Sequence, residues 1–85
     1  MRHVGEITNT PQYKIDLYTW NNKYIVKIEA GQCEQIYKIN QLDFLGTEDD
    51  IQALCQNQDF INAIVATFHK MHQDWQSVLT NADLL

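Results

Sequence analysis

The chain has 85 residues, 45% of them hydrophobic and 11% aromatic, and a formal net charge of −5. That length makes one domain with a small core, and that composition excludes a disordered chain. Six Lys and Arg against eleven Asp and Glu, with no basic run, disfavour a nucleic-acid partner, whose backbone needs a positive patch.

Residues 1–11 mix small, polar and single apolar residues and end at Pro11. They read as a flexible arm or short edge element ahead of a single domain over 12–85. They hold no apolar run of signal-peptide length, and nothing in the chain approaches the roughly 18 apolar residues of a membrane span. A soluble, cytoplasmic protein with no membrane partner is expected.

From Gln12 the period becomes two. Ile15 and Leu17 alternate with Lys14 and Asp16, then Val26 and Ile28 with Lys27 and Glu29, as in a half-buried sheet. The break is Asn21-Asn22, and asparagine tolerates the left-handed conformation of a tight hairpin. A two-residue loop there sets Trp20 opposite Lys23, Leu17 opposite Val26 and Ile15 opposite Ile28. The other face then matches Asp16 with Lys27 and Lys14 with Glu29, pairs that a one-residue slip would destroy.

A second turn near Gly31-Gln32 leads into residues 33–40. A two-residue loop puts Cys33, Tyr37 and Ile39 on the core face, with Gln35 as an awkward polar member and Ile36 pointing the other way; a three-residue loop would exchange the faces.

After Gly46 the period is helical. Thr47 reads as an N-cap before Glu48-Asp49-Asp50, whose charges suit a helix N-terminus, and Ile51, Leu54 and Cys55 form the apolar side of a short helix over 48–56. Asn57 or Asp59 caps a second helix over 59–80, with Phe60, Ile61, Ile64, Val65, Phe68, Met71, Trp75, Val78 and Leu79 at helical spacing. The expected architecture is α+β: a three-stranded antiparallel meander followed by two helices, one short and one long, on one face of the sheet.

The second helix, about 33 Å long, outruns strands of about 27 Å, so its apolar end around Trp75 and Leu79 overhangs. On the outer sheet face Tyr18 falls beside Ile25, with Trp20 further along the strand and Ile36 nearby, inside a charged rim. Such an apolar centre is the anatomy of an interaction surface, although high strand propensity also accounts for tyrosine and tryptophan there. These six residues, Tyr18, Trp20, Ile25, Ile36, Trp75 and Leu79, are the candidate surface for a protein partner or a homodimer.

Catalytic chemistry finds little support. The three glycines stand apart, so no phosphate cradle forms, and the only serine, Ser77, sits inside the long helix. His69 and His72 have a spacing that can share a metal, but two ligands do not make a zinc site. Cys33 and Cys55 form no CxxC pair and read as reduced thiols, with Cys55 facing the core where its nucleophilicity is suppressed. No enzyme, metal or cofactor is expected. A small-ligand pocket between the long helix and the sheet is the alternative to an interaction domain.

Overall fold

The structure is a computed structural model and describes all of residues 1–85. In chain order it contains β1 (Arg2–Asn9), β2 (Lys14–Trp20), β3 (Lys23–Ala30), β4 (Cys33–Asn40), α1 (Glu48–Cys55) and α2 (Gln58–Asn81). The four strands form one antiparallel sheet in the order β1-β2-β3-β4.

The sheet therefore has four strands, not the expected three. The segment read as a flexible arm or short edge element is a full edge strand of eight residues. It escaped the period-two pattern because its register against β2 shifts twice, between His3 and Gly5 and between Glu6 and Thr8. Each shift sets two residues of β1 against one of β2, which is a β-bulge. Val4 and Ile7, three apart, would face opposite sides of a regular strand; with the bulges both pack against the core. Pro11 starts the turn into β2, closed by Thr10 N–H donating to Tyr13 O (2.9 Å) and by Thr10 Oγ1 accepting from Tyr13 N–H (3.0 Å).

The β2–β3 register is as expected from Trp20 opposite Lys23 to Lys14 opposite Glu29. Asn21 and Asn22 both take positive φ (51° and 61°), as a type I′ turn demands. The β3–β4 loop is the two-residue Gly31-Gln32, with φ of 60° at Gly31, so Cys33, Gln35, Tyr37 and Ile39 fall on the helix side. Gln35 is satisfied there: its Nε2 donates to Ile64 O of α2 (3.0 Å) and its Oε1 accepts from the Tyr37 hydroxyl (2.5 Å).

Both helices start where their caps indicate. At α1, Thr47 N–H donates to Asp50 Oδ2 (2.7 Å) and Asp50 N–H to Thr47 Oγ1 (3.4 Å), a capping box. At α2 the cap is Asn57, whose Oδ1 accepts from the N–H groups of Asp59 and Phe60. The core joins Ile15, Leu17, Ile28 and Ala30 of the sheet to Ile51 and Cys55 of α1 and Ile64 and Phe68 of α2. With 24 residues α2 runs about 36 Å. It leaves Trp75 and Val78 exposed, and the molecule measures 47 × 27 × 20 Å. No helix is long and apolar enough to cross a membrane.

Candidate functional site

Strand parity places Tyr18 and Trp20 of β2, Ile25 of β3 and Ile36 of β4 on the sheet face away from the helices. They do not form one open patch. Ile25 lies directly between Tyr18 and Lys38 on its neighbouring strands and is only 3% exposed, so its side chain is sealed under them. Tyr18 is itself half covered by β1, whose His3 ring lies 4.9 Å from it. Trp20 and Ile36 remain exposed. At the helix end Trp75 is exposed and Leu79 half-buried.

The charges also differ from the expected cross-strand pairs. Asp16 and Lys27 stand opposite each other, yet Lys27 Nζ turns to Glu29 (3.0 Å) and Glu34 (3.8 Å), and these two carboxylates raise its pKa above the ordinary lysine value, Glu29 first. Asp16 is 3% exposed because β1 lies beside it. Its Oδ1 accepts from His3 Nε2 at 2.8 Å and its Oδ2 lies 3.6 Å from Lys14 Nζ. A buried carboxylate needs such partners, and β1 supplies the shorter one.

On the helix side the cover is incomplete. Between α1, the start of α2 and the β3–β4 edge lies a groove of about 450 Å³ walled mainly by Tyr24, Tyr37, Ile39, Phe44, Leu54 and Phe60. Its position differs from the pocket anticipated between the long helix and the sheet, because the short helix forms one wall. Phe44, on the loop before α1, closes one end by packing edge-on against Tyr24. Gly46 permits this: a Cβ there would come within 2.8 Å of the Phe44 ring. A loop residue carries no periodic signal, so nothing in the sequence pointed to Phe44.

The histidine pair is divided by the fold. His72 Nε2 donates to Ala30 O (3.1 Å), docking α2 against the Gly31 turn, and its ring stacks on Phe68. His69 makes no such contact, and no group of three His, Cys, Asp or Glu side chains is placed to hold a metal ion. Cys55 is buried, and burial pushes its thiol up to about 11, while Cys33 is partly accessible. Alkylation at pH 8 is expected to label Cys33 first, with Cys55 slower on the order of a hundredfold because little thiolate exists and the core must open. Mass mapping of the modified peptides checks this; equal rates would show that α1 does not stay docked. Because the unfolded thiol ionises near 9.0 and the folded one near 11, the same group withdraws stability as pH rises across that window.

No family model matches the chain, and no curated protein or solved structure does either.

Proposed function

We propose that this α+β domain is a non-catalytic interaction module that acts by self-association. The carrying observation is a surplus of bare apolar side chains: thirteen large hydrophobic residues are exposed, whereas only nine of the eleven buried residues are hydrophobic. Single exposed apolar residues are ordinary, but here several are contiguous, along β4 and along the free end of α2. Two unpaired cysteines fit a reducing compartment, hence the cytoplasm.

Light scattering across a dilution series at low and high salt tests the reading. A dimer that persists into the low micromolar range and at high salt is the expected result, since apolar burial is not screened as exposed ion pairs are. A monomer at every concentration refutes self-association. The groove beside α1 favours a second reading, a site for a small apolar ligand, because its volume lies within the usual range for such sites. Native mass spectrometry of protein from cells would then show a bound small molecule; empty protein opposes it.

A further inference from the structure

We infer that two copies join through β4, antiparallel across a two-fold axis at Ile36, so that their sheets run on as one. The inference rests on the self-association reading above and specifies its surface.

The two sheet edges are unlike. β1 is bulged twice and carries Arg2, His3 and Glu6, features that blunt an edge against further pairing. β4 has eight residues, no register shift and no proline. Its apolar side chains are bare on both faces: Ile36 is 53% exposed on one, and Tyr37 and Ile39 are 45% and 40% exposed on the other. Its only charges are Glu34 and Lys38, one of each sign, two residues on either side of Ile36.

The backbone then selects which residues can pair. Gln41 N–H donates to Asn22 O, so Lys23 and Asn40 form a non-hydrogen-bonded pair. Because antiparallel pairs alternate, Glu34, Ile36, Lys38 and Asn40 direct their N–H and C=O groups away from β3, toward open solvent. Only registers that match these residues among themselves can satisfy them.

Side-chain charge decides among those registers. With Ile36 opposite the partner's Ile36, Glu34 faces the partner's Lys38 and Lys38 faces the partner's Glu34, and each of these pairs exchanges both backbone hydrogen bonds. Shifting so that Glu34 faces the partner's Glu34, or Lys38 the partner's Lys38, sets like charges opposite each other, which is destabilising. The remaining shifts place Ile36 against a charge. The Ile36-centred register also sets Tyr37 opposite the partner's Gln35 and Ile39 opposite the partner's Cys33 on the helix side. A two-fold axis normal to the sheet keeps both helix layers on the same face. The palindromic order of opposite charges about a central isoleucine thus points to a second copy of this chain as the occupant of the edge.

The test is the solution mass of variants of the 85-residue chain at low salt. Ile36→Pro deletes an N–H that the monomer does not use, and proline is tolerated on an edge strand. The expected result is a folded monomer, with dimer affinity reduced on the order of a hundredfold or more from the blocked central pair. Glu34→Lys and Lys38→Glu should each weaken the dimer about tenfold. Mixing those two variants restores it, because every facing pair is then opposite in charge. Restoration by mixing cannot arise from misfolding, so it decides the matter even if the proline variant is unstable. A wild-type dimer that Ile36→Pro leaves intact, or charge variants that mixing does not rescue, overturns the β4 interface and leaves self-association standing. A wild-type monomer at all concentrations removes both.

Discussion

Removal of residues 1–9 is expected to unfold or aggregate the protein, not merely to trim it. Val4 and Ile7 pack on the core from β1, and each half-buried side chain is worth about 1–2 kcal/mol. Asp16 loses His3 and keeps only Lys14, leaving a buried carboxylate short of a partner. The outer backbone groups of β2 lose their ladder and become a new edge. Together these amount to about 3–6 kcal/mol, against a total of roughly 4–12 kcal/mol for a chain of this size. Far-UV circular dichroism and a urea titration report the result. A truncated chain with an unchanged urea midpoint would return β1 to the status of an arm.

Phe68→Ala should lower stability by about 3–5 kcal/mol, the usual cost of emptying a buried phenylalanine site. Phe68 is buried in the middle of α2 beside Ile64, and its ring supports His72 where Nε2 meets Ala30 O. The substitution therefore removes core volume and loosens the contact that docks α2 on the Gly31 turn. Trp75→Ala, seven residues along the same stripe, should cost the isolated monomer only about 1 kcal/mol because that residue stays nearly half exposed at the rim beside Gln32 and Cys33. Urea unfolding of the two variants gives the comparison. Similar losses would mean that the outer end of α2 is packed rather than free.

Where the period of a sequence matches the period of an element, this fold is readable in advance. The β2–β3 register followed from apolar alternation and the Asn21-Asn22 turn, and the structure pairs the same residues. The Thr47 cap and the α2 stripe were equally local signals. Gln35, out of place in the pattern, marked a point of long-range contact, the carbonyl of Ile64. The β1 strand was unreadable for the opposite reason: two bulges break the alternation, and only pairing with β2 reveals that Val4 and Ile7 share a face.

The candidate surfaces divide in the same way. Parity alone put Tyr18, Trp20, Ile25 and Ile36 on the outer face, but exposure depends on neighbours from other strands. Ile25 is sealed between Tyr18 and Lys38, while Ile36, on the edge strand, has neighbours on one side only. The free end of α2 could be foreseen from lengths, since a helix rises 1.5 Å per residue and outruns a short strand. The apolar groove could not, because one of its walls is Phe44, held against Tyr24 from a loop.

By itself the sequence determined the elements from β2 onward, the facing of β2, β3 and α2 and the β2–β3 hairpin register, because backbone periodicity, turn conformation and capping act over a few residues; the β4 facing waited on the length of the Gly31-Gln32 turn. Tertiary structure decided the fourth strand, the burial of Asp16 and Ile25, the separation of His69 from His72, and which sheet edge stays open. Those properties depend on what lies across a strand or beneath a helix, and close packing sets that only when the whole chain has been assembled.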